Sequence, residues 1–550
     1  MPHDAEMPCS PTARVWACFS GALSALDVPR TSVQDLPTCC FLAVIAALPA
    51  PARARVACVC VAWRDALRAP HAWRDVFFDE PTVTPDVLAA VSARAAGGMT
   101  RLWLPEGCTG LRPTALIDVL RQNPRLEQLR ALALRLPWSG ALLKQALELA
   151  PSLERLDADA FLVEGVPAGS ALALASSADG DSSGEALVQS LASHRVAVRF
   201  LHVAGRLWVR SLAALATALA GGANVRSMNL AFADVDDNGA AVLSAGLRGA
   251  GSLYELNLRA NTIHHAGCAA LSAALAGGLR RLCLASNPIG RDGAAALGAA
   301  LPTCVLETLD VSGCSIDSEG CIALAAGIER STRLSELLIG FNRLGPAGAA
   351  ALASALAAPT SQLSVLDLEW TAAGAAGAEA IGRALLQCGT RAVQRIDLSS
   401  NGVTSLAAVP LSAALATAVL HTLVLANNPR LGNGGAAALA AGLRQPGAVL
   451  ARLELGACGI RTAGAVALAR SLASPSSRLC ALNLAENDVG GEGVAALTAA
   501  LRDNRTLVEL SLSVRVPSGD RTRAAEVTLR RTPGRRPGPW QGTANTCLLP

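Results

Sequence analysis

The sequence predicts an α/β solenoid, with parallel strands on one face and helices on the other. A leucine pattern, L-x-x-L-x-L-x-x-N, recurs from residue 225 onward at intervals of 26–30 residues. In most units a glycine follows it, with leucine or isoleucine four and eight residues later. Apolar residues make up 51% of the 550 residues and aromatic residues only 3%. This composition suits many thin, similar layers better than one thick core.

The first half of each unit predicts a short strand. Leu253 to Asn261 and Leu479 to Asn487 show the pattern clearly, and its alternating residues point to opposite faces of a strand. The ninth position is mostly asparagine, whose buried amide can satisfy backbone groups that the turn after the strand leaves unpaired. Eleven copies start at Val225, Leu253, Leu279, Leu306, Leu334, Leu363, Val393, Leu420, Leu450, Leu479 and Leu507.

The second half of each unit predicts a helix. Spacings of four and eight place the large residues on one helical face, and the alanines between them favour helix and allow close packing. The glycine lies where the loop becomes the helix. Nine units carry this half, at Gly239, Gly267, Gly293, Gly320, Gly348, Gly377, Gly435, Gly464 and Gly493.

The combined pattern resembles the leucine-rich repeats of the ribonuclease-inhibitor class. Clear copies occupy residues 225–514, and degenerate copies that lack the asparagine occupy 99–224. A stretch of alanine, serine, glycine and aspartate near 168–185 predicts a flexible insertion among the degenerate copies. We therefore expect one curved solenoid over about 99–514, because a single unit cannot bury its own leucines but a stack can.

Residues 35–78 have a different character and predict a module of three short helices. A Leu-Pro start, an Ile then Leu-Pro, a Val-Cys before Trp-Arg and a later Trp together resemble an F-box. The middle helix departs from that pattern, because Ala-Arg-Ala-Arg replaces the usual acidic start. The resemblance implies an adaptor-binding surface at Leu36, Pro37, Ile45, Leu48, Pro49, Val59, Cys60, Trp63 and Trp73.

An F-box before leucine-rich repeats implies a member of the F-box/leucine-rich-repeat family. Such members dock on a Skp-type adaptor and, through it, a cullin, while the repeats hold a protein substrate for ubiquitination. The sequence leaves a second interpretation open, in which residues 35–78 only cap the apolar end of the solenoid. The chain would then be a binding or scaffold protein, or a regulator like the activators of the Ran GTPase.

Two terminal segments lie outside the repeats. Residues 1–34 are expected to be a flexible extension. Residues 515–550 carry seven arginines and two acids, for a net charge of +5, together with several prolines and glycines. This composition predicts a basic, disordered tail.

The sequence shows no catalytic machinery, cofactor motif or metal site, and we expect a non-enzymatic protein. Its one lysine, Lys144, is not in a phosphate-binding loop. The nearest metal-like spacing, His264, His265 and Cys268, is better explained as a solvated pair at a loop. The net charge of +4 argues against broad nucleic-acid binding, and no apolar run is long enough to span a membrane. The 16 cysteines form no C-x-x-C pair and favour reduced thiols in the cytoplasm or nucleus.

The substrate-binding surface is predicted on the concave strand face of the middle repeats. Positions three, five, seven and eight of each unit should face that surface or its edge, since the leucines point inward. Across four units these positions hold five acids and one base, and two aromatic residues occupy the eighth position of adjacent units. We expect a substrate with a basic segment and an apolar anchor. The predicted contacts are Asp310, Glu336, Phe341, Asp367, Glu369, Trp370 and Asp397.

Overall fold

The computed structural model describes a chain built from repeated strand–loop–helix units that fall into two compact units. Unit 1 comprises residues 1–234 and 245–253, and unit 2 comprises residues 235–244 and 254–550. The residues that the structure describes are 75–78, 84–95, 97–104, 113–125, 128–131, 149, 155–159, 200–204, 209–223, 225–388, 393–417, 419–518, 521–531 and 541–545.

Six strands of unit 1 pair in parallel, each with the next along the chain. They are β1 (Asp75–Phe77), β2 (Arg101–Leu104), β3 (Gln128–Ala131), β4 (Arg155–Asp159), β5 (Phe200–Ala204) and β6 (Ser227–Asn229). The described helices between them are α1 (Pro85–Ala95), α2 (Pro113–Gln122) and α3 (Val209–Ala220). The degenerate copies of 99–224 therefore supply real strands, and the predicted insertion near 168–185 lies outside the described residues.

Unit 2 continues the pattern after α4 (Asp237–Leu247), which the boundary between the units divides. Its strands are β7 (Glu255–Asn257), β8 (Arg281–Cys283), β9 (Thr308–Asp310), β10 (Glu336–Leu338), β11 (Val365–Asp367), β12 (Arg395–Asp397), β13 (Thr422–Val424), β14 (Arg452–Glu454), β15 (Ala481–Leu484) and β16 (Glu509–Ser518). They pair in parallel, and the fourth residue of each repeat is in register with the fourth residue of the next repeat.

A helix follows each of the strands β7 to β15. These helices are α5 (His265–Ser272), α6 (Gly290–Ala300), α7 (Ser318–Arg330), α8 (Gly345–Ala357), α9 (Gly374–Cys388), α10 (Ala408–Ala414), α11 (Gly432–Leu443), α12 (Thr462–Leu472) and α13 (Gly490–Asp503). Neighbouring helices pack so closely that there is no room for a side chain at Gly327 of α7. A Cβ added there would lie 1.9 Å from the carbonyl oxygen of Gly298 in α6. The predicted α/β solenoid of parallel strands and helices is confirmed in this unit.

The core of each repeat consists of its leucines. In the unit that starts at Leu306, the first, fourth and sixth residues are Leu306, Leu309 and Val311, and all three are fully buried. Leu324 and Ile328 cover them from α7 and are equally buried. Each side chain of this kind contributes about 1.5–3 kcal/mol on burial, so stability comes from stacking repeats rather than from any single one.

The C-terminal segment differs from the prediction of a disordered tail over 515–550. Strands β17 (Arg521–Arg530) and β18 (Gln541–Asn545) follow β16; β17 pairs antiparallel with β16, and β18 pairs antiparallel with β17. The buried guanidinium of Arg531 donates to the backbone oxygens of Leu507 and Asn504 at 2.6 and 3.1 Å. The physical reason is the open edge of the last repeat strand, whose unpaired backbone groups a further strand satisfies.

Candidate functional site

The loops that follow the strands are held by a ladder of buried side chains at position nine. Asn342 accepts the backbone N–H groups of Cys314 and Ile316, both at 2.9 Å. Its amide also donates to the backbone oxygens of Val311 and Ile339, at 2.8 and 2.9 Å. The amide thus ties two neighbouring loops together, and the predicted role of the ninth position is confirmed. Comparable bonds are made by Asn261, Asn287, Asn401, Asn428 and Asn487, and by the variants Thr371, Cys314 and Cys458.

Position five of the repeat, at the end of each strand, has a local structural role of its own. The carboxylate of Asp367 accepts the backbone N–H of Glu369 at 2.9 Å, two residues further along. Asn257 and Asn483 make the same contact in their own repeats. An aspartate here therefore serves the turn no better than an asparagine, and its negative charge is surplus to the fold.

In the middle of unit 2, this surplus charge forms no close ion pair with a described residue. Among the described residues, no arginine or histidine nitrogen lies within 4.0 Å of the carboxylates of Asp310, Glu336, Asp367 or Glu369. Glu336 accepts a hydrogen bond from the Thr308 hydroxyl at 3.2 Å. These four residues, on β9 to β11 and the loop after β11, are called the central acidic face below.

Two of these carboxyls are perturbed by their surroundings. Burial raises the pKa of Asp367, and the charges of Asp397 and Asp310 also raise it, against the lowering effects of the Glu369 N–H and of the Arg395 charge. Burial and the charges of Asp397 and Asp367 also raise the pKa of Glu369. Both residues therefore carry a charge that the folded chain disfavours, and a cationic partner would relieve it.

On strands β12 and β16, further along the chain, the acids are already paired. Asp397, only 6% exposed, accepts a hydrogen bond from Arg395 at 3.1 Å and from the Ser399 N–H at 3.0 Å. Further along, Glu509 accepts hydrogen bonds from Arg452 at 3.4 Å and from Arg530 at 2.6 Å. Asp397, predicted to contact substrate, is thus engaged inside the protein.

Phe341 and Trp370 form an exposed aromatic pair. Each follows its strand at position eight of the repeat, β10 for Phe341 and β11 for Trp370. They are 51% and 62% exposed, and their ring centroids lie 6.0 Å apart with a tilt of 49°. The rings pack against each other, which is the alternative to a pure binding role for two aromatic residues on adjacent strands, yet more than half of each side chain stays accessible.

The backbone at position eight does not require an aromatic side chain. Phe341 and Trp370 have φ of 57° and 53°, in the left-handed region, and Gly313 and Ser400 fill the same position with φ of 64° and 57°. A bulky residue there is strained by about 1 kcal/mol relative to glycine. Two exposed rings at a strained position where glycine or serine suffices favour a role in binding rather than in packing.

The aromatic pair lines a cavity of about 680 Å³ on the edge where the strands pass into the helices. None of the four residues of the central acidic face lines this cavity. Its lining is Gly313, Ser315, Ile316, Asp317, Phe341, Asn342, Arg343, Trp370, Ala372 and Ser400. The structure therefore places the predicted substrate contacts on two adjoining surfaces, an acidic strand face and an aromatic loop edge.

Two residues with the properties of binding residues were not predicted. Phe232, in unit 1, occupies position eight of the repeat that starts at Val225 and is 65% exposed. Its position in the repeat could have identified it. Arg343 lines the aromatic cavity, but nothing in its sequence context distinguishes it from the other arginines.

Several predicted features lie outside this site. The adaptor-binding residues, from Leu36 to Trp73, lie outside the described residues. His264 contacts Asp237 at 4.0 Å and lies at the N-cap of α5, while Cys268 is buried. No group of three or more potential metal ligands occurs among the described residues. Over the same part of the chain, no helix has the length and apolar character needed to cross a membrane.

Sequence comparison identifies leucine-rich repeats. The family profile described as "Leucine Rich repeat" matches residues 304–325 and 479–497. The ribonuclease inhibitor of Sus scrofa is 32% identical over 187 residues, 34% of this chain and 34% of that protein. The human "NACHT, LRR and PYD domains-containing protein 5" is 30% identical over 184 residues, 33% of this chain and 13% of that protein. The chain thus spans about a third or less of these relatives, and it contains leucine-rich repeats homologous to those of ribonuclease inhibitors.

Comparison with solved structures returns matches of low overall similarity. The structure described as "Crystal structure of Rad7 and Elc1 complex in yeast" has a TM-score of 0.39 and 16% identity, and the match covers 68% of this chain and 84% of that one. The "Crystal structure of TLR13-ssRNA13 complex" has a TM-score of 0.40 and 14% identity, with 72% and 62% covered.

Proposed function

We propose that the chain is a non-enzymatic receptor whose leucine-rich repeats hold a protein partner on the central acidic face. The observation that carries the proposal is the set of four carboxylates without a cationic partner among the described residues. Their position on the strand ends beside an exposed aromatic pair suits a segment with basic residues and an apolar anchor.

The role of that partner is proposed to be that of a substrate for ubiquitination. Support comes from the F-box resemblance of residues 35–78, with the Leu-Pro start at Leu36 and the Trp-Arg pair at Trp63. In this proposal the helical module binds a Skp-type adaptor, the adaptor binds a cullin, and the repeats present the substrate in the cytoplasm or nucleus.

The adaptor half of the proposal is tested by binding to a purified Skp-type adaptor. The full-length chain should retain the adaptor in size-exclusion chromatography, and Trp63→Ala should abolish the complex, since buried aromatic anchors contribute about 2 kcal/mol or more at interfaces. Unchanged binding of the Trp63→Ala protein, with an unaltered melting temperature, would contradict this assignment. Phe232→Ser is the matched control and should bind the adaptor normally.

The repeat half of the proposal is tested without knowing the substrate. A labelled arginine-rich peptide that ends in leucine serves as the probe in fluorescence anisotropy. It should bind the wild-type protein in a salt-dependent manner, because the contact is electrostatic at an exposed face. Binding should weaken as the pH falls through the raised pKa values of Asp367 and Glu369, since protonation removes the charges.

A second candidate is a steric binding protein without any ubiquitin role. The homology to ribonuclease inhibitors favours it, because the repeats of those proteins belong to named inhibitors of an enzyme. Under this alternative residues 35–78 cap the repeats. Failure of adaptor binding together with retained peptide binding would select this candidate.

A further inference from the structure

The cavity beside the aromatic pair contains two side chains of opposite formal charge. Asp317 and Arg343 both line it, with Phe341 and Trp370 as its large apolar members. What the cavity offers to a ligand depends on which of these charges is already engaged within the protein.

The charge of Asp317 is engaged. Its carboxylate caps α7 by accepting the Gly320 N–H at 2.9 Å. It also accepts two hydrogen bonds from Arg291, at 2.9 Å from Nε and 2.6 Å from Nη2. Hydrogen bonding from Arg291 lowers the pKa of Asp317, with the Gly320 N–H acting in the same direction. The negative charge of Asp317 is therefore neutralised by Arg291.

The charge of Arg343 is not engaged. Its backbone is fixed, because its N–H donates to the Ile316 oxygen at 3.1 Å and the residue pairs with Asp317 in an isolated bridge. Its side chain is exposed, and no carboxylate of the described residues lies within 4.0 Å of its guanidinium. The cavity thus presents one available cation beside two accessible rings.

We propose that this cavity binds an apolar side chain of the protein partner together with an adjacent carboxylate, which pairs with Arg343. The rings supply the apolar contact, and the guanidinium can hold a carboxylate through two parallel hydrogen bonds. The inference rests on the proposed function and refines it. The partner segment carries basic residues for the central acidic face, and an apolar residue followed or preceded by Asp or Glu for the cavity.

The charge pattern sets this ligand apart from a purely basic segment. Arg343 would repel a lysine or arginine placed next to the anchor, whereas the central acidic face of the same repeats attracts them. A partner with both charges in the right order is therefore selected over a uniformly basic peptide. This is specificity by repulsion as well as by attraction.

The test is a selection of random dodecapeptides displayed on phage against the intact protein. Pools are compared among wild type, Arg343→Glu, Arg343→Gln and Trp370→Ser, the last chosen because Ser400 fills the equivalent position. Wild type should enrich peptides with Asp or Glu next to an apolar residue several-fold over the naive library. Arg343→Glu should exchange that acid for Lys or Arg, and Arg343→Gln should remove the charge preference.

The two levels of the proposal fail in different ways. Wild-type peptides without an acid beside the apolar residue, or an identical pool from Arg343→Glu, would overturn the cavity inference alone. Loss of the basic residues from the wild-type pool would overturn the central acidic face, whatever happens at the cavity. An identical pool from Trp370→Ser, or no enrichment over the naive library, would overturn the use of the aromatic pair as the anchor.

Discussion

The central and C-terminal parts of the strand face share one architecture but differ in how their charges are treated. On β9 to β11, Asp310 and Asp367 occupy position five with no cationic partner among the described residues. On β12, Asp397 occupies the same position and is paired with Arg395 at 3.1 Å. The difference shows that the repeat tolerates an acid at this position either way. Internal pairing marks the acids of the C-terminal strands as structural, and the absence of pairing marks the central ones as available to a partner.

Arg395→Gln should remove the ion pair between Arg395 and Asp397, and we expect it to have the largest effect on stability. It leaves the buried Asp397 carboxylate without its cation, which is expected to lower the free energy of unfolding by about 2 kcal/mol. Urea denaturation measures the change. The double variant Arg395→Gln with Asp397→Asn should recover most of the loss, because asparagine keeps the hydrogen bond to the Ser399 N–H. A double variant no more stable than Arg395→Gln would show that the pair is not the cause.

Asp367→Asn should have the opposite sign. Asparagine keeps the bond to the Glu369 N–H, as Asn257 does in its own repeat, and removes a charge whose pKa is raised by burial and by Asp397. The variant should be as stable as wild type or more stable, by less than about 1 kcal/mol at neutral pH.

The stability of Asp367→Asn relative to wild type should depend on pH. A carboxyl whose folded pKa is raised destabilises the fold at pH values above that pKa and binds its proton more readily when folded. The advantage of Asp367→Asn should therefore be full at neutral pH and vanish as the pH falls below the ordinary carboxyl range, about 4. An advantage that grows towards acid pH would mean that the Asp367 charge stabilises the fold.

Glu369→Gln should act in the same direction with the smallest effect. Glu369 lies in the loop after β11, and its side chain makes no hydrogen bond to the turn that the substitution could disrupt. We expect a change in melting temperature of less than about 2 °C, measured by differential scanning fluorimetry beside Asp367→Asn. A clear loss of stability would identify a structural role for this carboxylate.

The repeat positions were predictable from the sequence, because the spacing of leucines fixes which residues are buried. The ninth-position asparagines follow from the same logic, since a buried turn needs donors and acceptors. Pairing of Asp397 by Arg395 was not predictable. Residues two apart on one strand share a face, but whether the side chain folds back depends on its neighbours on β11 and β13.

Strands β17 and β18 could not be predicted from the sequence. The division of the predicted substrate contacts between an acidic strand face and an aromatic loop edge could not be predicted either. Arginine, proline and glycine in the tail masked the alternation of Val527 and Leu529, which the open edge of β16 turns into a strand. The sequence placed Phe341 and Trp370 at the same position of adjacent repeats, but a strand pattern does not show that position eight lies on the loop edge. That placement depends on the left-handed turn, which glycine, serine, alanine, asparagine and glutamate adopt at position eight of other repeats in unit 2.

The role of the central acidic face in partner binding is tested most directly with two charge-neutralised proteins. Their affinity for the arginine-rich peptide that ends in leucine is compared with that of wild type. The first carries Glu336→Gln, Asp367→Asn and Glu369→Gln. The second carries Asp397→Asn, Glu509→Gln and Glu454→Gln, and Glu454 is an acid that accepts a hydrogen bond from Arg452 at 2.9 Å. We expect at least a tenfold loss of affinity and a shallower salt dependence for the first protein, and little change for the second. Equal losses in both proteins, or none in the first, would contradict the assignment of the central acidic face as the partner-binding surface.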